Sequence, residues 1–242
     1  ATLARMPAAP QTVPATRTPA MTPAVVVVVL SLLLGIQPIT TDLYLPALPG
    51  LTEGFGAPVS QAQLTLTTLL LAFGVSQLVW GPLSDRFGRR PVLLLGLAGY
   101  TLASAGCALA PTMGMLIAWR TVQGAAMGAA VMGARAVVRD LYTLETGARV
   151  MSKGMTGLGV IACSAPTLGG LISQTLGWRY ALAVLVLFGT GSLALIALRF
   201  EETVPRRNPL ALRPRTLVTN WLAILRNPTF LAWSALSTAA YA

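Results

Sequence analysis

Long apolar runs recur along this 242-residue chain, and only short polar connections separate them. A helix needs about 20 apolar residues to cross a hydrocarbon layer about 30 Å thick, and most of the runs approach that length. They predict an all-α membrane protein with six complete transmembrane helices, and a further run from Pro228 is expected to be the truncated start of a seventh. The six complete runs lie at about 24–46, 61–81, 91–110, 113–135, 153–175 and 180–199.

The composition excludes an ordinary soluble domain. Charged residues make up 10% of the chain and hydrophobic residues 55%, whereas a soluble domain carries about 25% charged residues. The net charge of +10 makes a nucleic acid a partner to consider. The cations fall between the apolar runs, however, so membrane topology explains them better. We therefore expect a lipid bilayer as the partner and no nucleic acid.

The cations divide unequally between alternate connections. The amino-terminal tail and the stretches 82–90, 135–153 and 199–227 hold 15 of the 17 Lys and Arg residues, and the opposite loops hold only Arg179. Because positively charged loops remain on the cytoplasmic side, this asymmetry places the amino terminus and the even-numbered loops in the cytoplasm. The predicted location is the bacterial inner (plasma) membrane, as a multi-pass protein.

Four domains are predicted along the chain. Residues 1–23 are rich in Ala, Thr and Pro and are expected to form a disordered cytoplasmic tail rather than a signal peptide. The six-helix bundle follows at 24–199. A basic connector at 200–227 has apolar residues at helical spacing from Leu217, which predicts an amphipathic helix at the cytoplasmic interface. Residues 228–242 are the expected start of the seventh span.

Cysteine and histidine usage limits the chemistry. Cys107 and Cys163 both lie inside apolar runs without the spacing of a metal site, and the chain contains no histidine. No metal or cofactor is therefore expected, and any proton chemistry must use carboxylates. The sequence contains no Walker loop or Ser/His set, so we predict that the chain is not an enzyme.

A compact charged stretch separates the second and third spans. Residues 81–90 read Gly-Pro-Leu-Ser-Asp-Arg-Phe-Gly-Arg-Arg, and the two glycines permit a tight turn there. A generic positive-inside loop would account for the arginines but not for the glycines or the aspartate. The stretch resembles the loop between helices 2 and 3 of major facilitator superfamily transporters. The resemblance implies a cytoplasmic gating loop made by Gly81, Asp85, Arg86, Gly88, Arg89 and Arg90.

Two charged residues lie inside the apolar runs, where a charge is costly and by default marks a pathway, a proton relay or an ion pair. Asp42 is the only acidic residue within a run, and the alternative is that it caps the outer end of the first span. Arg120 shares a helical face with Gln123 in the fourth span, and the alternative is that it braces neighbouring helices through their carbonyls. Asp42, Arg120 and Gln123 are the candidate proton and substrate pathway, in which Asp42 and Arg120 can form a pair.

Small residues surround a proline in the fifth span. Pro166, Gly169 and Gly170 resemble the motif G-P-x-x-G-G of drug-exporting antiporters, with Ala165 where that motif has its first glycine. Backbone close approach and a kink remain possible without that glycine. Ordinary packing of small residues between membrane helices would give a similar composition.

Further patterns narrow the resemblance within the superfamily. The fourth span contains R-x-x-Q-G from Arg120, a pattern whose arginine is associated with proton coupling in antiporters. With Thr-Thr-Asp-Leu-Tyr-Leu-Pro from Thr40 and Arg-Ala-Val-Val-Arg-Asp-Leu-Tyr from Arg135, the chain is similar to Bcr/CflA-type multidrug efflux transporters over about 24–200. The resemblance implies one six-helix half built from two inverted three-helix repeats.

The same resemblance implies a function and partners. The implied activity is proton-coupled antiport that exports small amphipathic drugs, with protons and a small-molecule substrate as partners. A missing carboxy-terminal half is also implied, in a protein that is monomeric when complete. Two other hypotheses remain open: a non-transporting fragment or half-transporter that needs a second six-helix half, and a family member that exports amino acids or sugars.

Overall fold

The computed structural model describes residues 21–204, 208–209 and 211–241. Nearly all of these residues are helical, and none lies in a strand. The first long helix is followed by a short 3-10 turn at Leu45–Ala47. The α-helices are α1 (Pro23–Asp42), α2 (Leu48–Phe55), α3 (Val59–Phe87), α4 (Arg89–Ala108), α5 (Met113–Leu141), α6 (Leu144–Thr175), α7 (Trp178–Arg199), α8 (Pro214–Leu225) and α9 (Pro228–Tyr241).

The six predicted spans are confirmed as the helices α1, α3, α4, α5, α6 and α7. In the described part of the chain, five segments are both long enough and apolar enough to cross a membrane, and α5 is not among them. Its 29 residues would extend about 43 Å, so its length is sufficient. Its apolar character is lower because it carries Gln123, several glycines and the charged residues Arg120, Arg135, Arg139 and Asp140.

The predicted tight turn at residues 81–90 is wrong in its extent. Helix α3 continues through this stretch to Phe87, and α4 begins at Arg89, so a single residue separates the two helices. That residue is Gly88, whose φ of 109° lies in a region that L-residues with a side chain rarely adopt. The backbone reverses direction at this one glycine.

Helix pairing follows a two-fold pattern. Helix α1 packs against α6, α3 packs against α5, and α4 packs against α7; α4 also packs closely against α5, and this contact is more extensive than its counterpart between α1 and α7. The first three spans are α1, α3 and α4, and the last three are α5, α6 and α7. If each span is exchanged with its counterpart in the other set, the α1–α6 pair becomes the α5–α3 pair, and the α4–α7 pair is unchanged. Because each repeat contains an odd number of spans, the second repeat enters the membrane from the opposite side. The bundle is therefore built from two inverted three-helix repeats, as the resemblance implied.

Glycine makes the two equivalent crossings possible. A Cβ added to Gly124 of α5 would overlap the carbonyl of Leu69 in α3, and one added to Gly169 of α6 would overlap the carbonyl of Leu43 at the end of α1. Small residues at such crossings let membrane helices approach at backbone distance. The two crossings hold α5 and α6 against the elements that carry the candidate site.

The buried interior consists of two apolar clusters. One contains Val29, Leu93 and Val137 and extends to Phe200 after α7. The other surrounds Tyr44 between α1 and α2. Helices α3 and α6 contribute few buried residues: in the most apolar 18-residue stretch of each, 11% of the residues are buried, and the rest are half-buried or exposed.

The domain predictions stand as follows. The predicted tail lies almost entirely outside the described residues, which begin at 21. Helix α8 occupies the part of the connector for which an amphipathic helix is predicted, and helix α9 follows after Asn227. The first residues after α7 are not a free linker, because they pack against the junction of α3 and α4.

Candidate functional site

Helix α1 breaks close to the predicted pathway. Pro38 lies inside the helix, where its ring removes one backbone N–H donor. The Thr40 hydroxyl donates to the carbonyl of Ile36, and the Thr41 hydroxyl donates to the carbonyls of Gln37 at 3.1 Å and Pro38 at 3.3 Å. These hydroxyl bonds compete with the backbone ladder and tend to bend the helix over its last turns before Asp42.

Arg120 reaches this broken end from α5. Its side chain is fully buried, and its terminal nitrogens donate to the carbonyl of Thr40 at 3.4 and 3.5 Å. The guanidinium lies over the ring of Tyr44, with 3.9 Å between its central carbon and the ring centroid. The last carbonyls of a helix lack partners within the helix and carry partial negative charge, so a cation is favourable there. Arg120 therefore caps the carboxyl end of α1.

Polar side chains extend this contact across four elements. Arg120 donates to Gln123 Oε1 at 2.8 Å, and Gln123 Nε2 donates to Ser104 Oγ of α4 at 2.7 Å. Two hydroxyl pairs, each 2.7 Å apart, join Thr40 to Tyr100 and Tyr44 to Thr65. We call this set the Arg120 network; its members are Thr40, Tyr44, Thr65, Tyr100, Ser104, Arg120 and Gln123.

The pairing expected between Asp42 and Arg120 is not formed. No carboxylate in the described part of the chain lies within 4 Å of the Arg120 guanidinium, and the Asp42 carboxylate accepts instead from the Thr41 hydroxyl at 2.7 Å. Asp42 is half-buried, and Arg120 Nε has no hydrogen-bond partner among the described residues. The contacts agree with the alternative in which Arg120 braces neighbouring helices through a carbonyl.

The small-residue motif of α6 meets the same break in α1. Gly169 is buried against the backbone of Leu43, and Gly170 lies close to Pro46 in the 3-10 turn. Pro166 lies inside α6 one turn earlier. Helix α6 thus contacts the broken end of α1 closely from one side, and Arg120 contacts it through long hydrogen bonds to Thr40 and the cation–π contact with Tyr44.

The predicted gating stretch, residues 81–90, contains a second buried arginine. Arg89 Nε donates to Asp140 at 2.8 Å, while its Nη1 donates to Asp85 at 2.7 Å and to Ser84 at 2.9 Å. Only 4% of Arg89 is exposed. This Arg89 cluster, made by Ser84, Asp85, Arg89 and Asp140, ties the adjoining ends of α3, α4 and α5 together.

The other predicted gate residues surround this cluster without joining it. Arg86 is exposed over the ring of Phe87, and Arg90 is exposed and donates to the carbonyl of Ala197 at 2.8 Å. Gly81 lies inside α3, where an added Cβ would meet nothing within 4 Å.

Two acidic residues of this region were missed by sequence reasoning. Asp140 completes the Arg89 cluster, and Glu202 accepts hydrogen bonds from the backbone N–H groups of Arg89 and Arg90. The available signal was that each is an acidic residue in an otherwise basic segment.

The described residues contain no group of three His, Cys, Asp or Glu side chains that could hold a metal ion. The fold is a polytopic helical bundle with inverted repeats. Its site contains a buried cation, Arg120, at the broken end of α1, and the Arg89 cluster lies at one end of the bundle. These are features of secondary transporters.

Comparison with known proteins agrees with this class. The model of the Major Facilitator Superfamily matches residues 30–242. A chloramphenicol resistance protein of Pseudomonas aeruginosa is 40% identical over 63% of this chain and 36% of its own length. Multidrug resistance protein D of Escherichia coli is 31% identical over 83% of this chain and 50% of its own.

A solved structure shows the same fold. The human organic anion transporter MFSD10 (TETRAN) superimposes with a TM-score of 0.64 at 27% identity, over 84% of this chain and 55% of that one. The chain spans about half the length of the curated relatives it matches, or less.

This chain belongs to the major facilitator superfamily. The names of its two bacterial relatives agree with the resemblance to Bcr/CflA-type drug efflux transporters. Membership of a transporter superfamily also confirms the prediction that the chain is not an enzyme.

Proposed function

We propose that this chain forms the amino-terminal half of a proton-coupled antiporter that exports small amphipathic drugs across the bacterial inner membrane. The observation that carries the proposal is Asp42, a half-buried carboxylate at the broken end of α1 that has no cationic partner among the described residues. Of the seven acidic residues in the sequence, it alone lies inside an apolar run. The names of the bacterial relatives support drugs as the substrate class.

Asp42 is the proposed proton site, and Arg120 is its positioning partner rather than its counter-charge. As a carboxylate, Asp42 accepts the hydroxyl hydrogen of Thr41. When Asp42 is protonated, its carboxyl group is a weaker acceptor and can itself donate, so the Thr41 hydroxyl can bond more fully to the carbonyls of Gln37 and Pro38. The end of α1 held by Arg120 thereby changes its hydrogen bonding with the protonation state. Proton binding is coupled in this way to the shape of the pathway.

The proposed gate is the Arg89 cluster at the cytoplasmic end of the bundle. Its three ion-pair and hydrogen-bond partners come from α3 and α5, so the cluster must rearrange whenever these helices separate. The distribution of loop cations supports a cytoplasmic location for this end, the amino terminus and the connector. The exposed surfaces of α3 and α6 are where a second six-helix half would pack, in agreement with relatives about twice as long.

The experiment is drug-driven proton release from proteoliposomes that contain the complete two-half transporter. Asp42→Asn should abolish proton release because the amide cannot bind a proton, and drug binding should be retained. Glu53→Gln is the matched control, since Glu53 is an exposed acid on α2 outside the bundle interior. Proton release by Asp42→Asn at the wild-type rate would place the coupling site elsewhere.

A substrate panel decides between the proposed function and its alternatives. Neutral and cationic drugs should compete with one another for export, whereas amino acids and sugars should not. Transport by the 242-residue chain alone would contradict the requirement for a second half. Preferential competition by an amino acid or a sugar would replace drugs as the substrate class.

A further inference from the structure

The chain immediately after α7 folds back onto the junction between α3 and α4. Phe200 is buried in the apolar interior, with 2% of its surface exposed. The backbone N–H of Asn208 donates to the carbonyl of Asp85 at 2.9 Å, and the Thr203 hydroxyl lies 3.5 Å from Asp140 Oδ2. The connector thus contacts both acidic members of the Arg89 cluster.

Glu202 makes the central contact of this segment. Its carboxylate accepts from the backbone N–H groups of Arg89 at 2.8 Å and Arg90 at 3.3 Å, the first two residues of α4. The N–H groups of Thr203 and Val204 also donate to it, at 3.1 and 3.2 Å. One carboxylate therefore joins the beginning of α4 to the beginning of the connector, across 113 positions of sequence.

The start of α4 needs such a partner. The first N–H groups of a helix have no acceptor within the helix, and they carry partial positive charge. A side chain at the residue before the helix commonly supplies the acceptor, but that residue here is Gly88, which has none. Glu202 supplies both the acceptor and the negative charge from elsewhere in the chain.

Gly88 leaves room for the same contact. A Cβ added to Gly88 would overlap the Glu202 carboxylate, in addition to conflicting with the φ of 109°. The glycine of the gating stretch therefore has two roles, because it reverses the chain and leaves room for the carboxylate.

We infer that Glu202 is a positioning residue of the gate: by capping α4, it holds Arg89 between Asp85 and Asp140 and links the connector to the Arg89 cluster. The cap itself is independent of the proposed function. The effect on transport rests on that function, because it requires the Arg89 cluster to act as a gate. Rearrangement of the gate would then include release or renewal of the Glu202 contact.

Hydrogen exchange of individual backbone amides in the purified 242-residue chain tests the cap directly. In Glu202→Ala, the amides of Arg89 and Arg90 should exchange about fivefold to thirtyfold faster, the factor expected for loss of a helix cap. Glu202→Gln should show a smaller effect, since it keeps an acceptor oxygen but loses the charge. The matched control is Glu201→Gln, because Glu201 is the exposed neighbouring acid.

The exchange experiment also contains its own folding control. Amides in the middle of α7, such as that of Ser192, should exchange equally slowly in every variant if the bundle remains folded. Exchange of Arg89 and Arg90 at the wild-type rate in Glu202→Ala would overturn the inference. So would equal acceleration by Glu201→Gln.

A double-variant cycle provides a second, independent measurement. Gly88→Ala should lower the unfolding midpoint because its Cβ overlaps the Glu202 carboxylate and its φ is strained. When Gly88→Ala is combined with Glu202→Ala, the overlap is absent, so the combined loss should be smaller than the sum of the single losses. Strictly additive losses would show that Gly88 and Glu202 do not interact.

Transport by the two-half protein tests the positioning role. Per folded molecule, Glu202→Gln should lower the maximal rate of drug export several-fold and leave the KM for the drug unchanged, because Glu202 lies outside the pathway. Accelerated exchange together with a wild-type export rate would overturn the positioning role. If the wild-type protein exports no drug at all, the proposed function fails, and the exchange and double-variant measurements still decide whether Glu202 caps α4.

Discussion

Two buried arginines in this bundle should respond oppositely to the loss of their charge. Arg89 is 4% exposed and bonds to two carboxylates, whereas Arg120 is fully buried with no carboxylate within 4 Å among the described residues. Replacing each by methionine keeps an unbranched side chain and removes the guanidinium. Comparing the free energies of unfolding of the two variants shows how the loss of a paired buried cation differs from the loss of an unpaired one.

Arg89→Met should lower the free energy of unfolding by about 3–5 kcal/mol, the usual cost of removing one partner from a buried ion pair. The larger part comes from Asp140, whose side chain is 9% exposed and would be left without its cation. Asp85 is 45% exposed, so water screens its charge, and the Arg89–Asp85 ion pair contributes only about 0.2–1 kcal/mol.

Arg120→Met should change the free energy of unfolding by no more than about 1 kcal/mol, because the gains and losses nearly cancel. The losses are the cation–π contact with Tyr44, about 2 kcal/mol when desolvated, and the charged hydrogen bond to Gln123, about 1.5–3 kcal/mol. The bonds to Thr40 are 3.4 and 3.5 Å long and contribute little. The gain is the desolvation cost of an unpaired buried cation, which is several kcal/mol.

The assay is denaturant unfolding of the purified variants in detergent, followed by tryptophan fluorescence. Arg90→Met is the control, because Arg90 is exposed and should cost no more than about 1 kcal/mol. Equal destabilisation by Arg89→Met and Arg120→Met would refute the reasoning. It would indicate that Arg120 has a counter-charge after all, and Asp42 would then be the first candidate. In that case Asp42→Asn combined with Arg120→Gln should be more stable than Asp42→Asn alone.

Two further predictions concern helix packing and topology. Gly169→Ala should lower the free energy of unfolding by about 1–3 kcal/mol, because its methyl group overlaps the Leu43 carbonyl. The control is Gly159→Ala in the same helix, where the added methyl group meets open space. This variant should be neutral or slightly stabilising in the same unfolding assay. In a background without the native cysteines, an impermeant thiol reagent should label Glu53→Cys from outside intact cells and Arg149→Cys only after the cells are opened, and the reverse pattern would invert the proposed orientation.

Local sequence was sufficient wherever the physical cause is local. The lengths of the apolar runs predicted the six long helices, because helix length in a membrane follows from bilayer thickness. Helical periodicity likewise placed Arg120 and Gln123 on one face, and the structure shows them hydrogen bonded at 2.8 Å. The extent of the turn at 81–90 was predicted wrongly, because Gly88 alone reverses the chain and the charged residues before it remain helical.

The partners of the two buried arginines, Arg89 and Arg120, were decided by the tertiary structure. Three arginines of the gating stretch look alike in sequence, yet only Arg89 is buried, because Asp140 and Glu202 approach it from 51 and 113 positions away. Arg120 binds the carbonyl of Thr40 rather than the Asp42 carboxylate.

The difference has a physical reason. Hydrophobicity and helical period are properties of neighbouring residues, so the sequence by itself determined the number of long helices and the places where charges enter them, and it predicts their direction from the loop charges. A carbonyl, in contrast, occurs at every residue and becomes a binding partner only where a helix ends and another element lies against it. Whether Arg120 meets that carbonyl or a carboxylate therefore depends on how α1, α5 and α6 pack together, which only the tertiary structure decides.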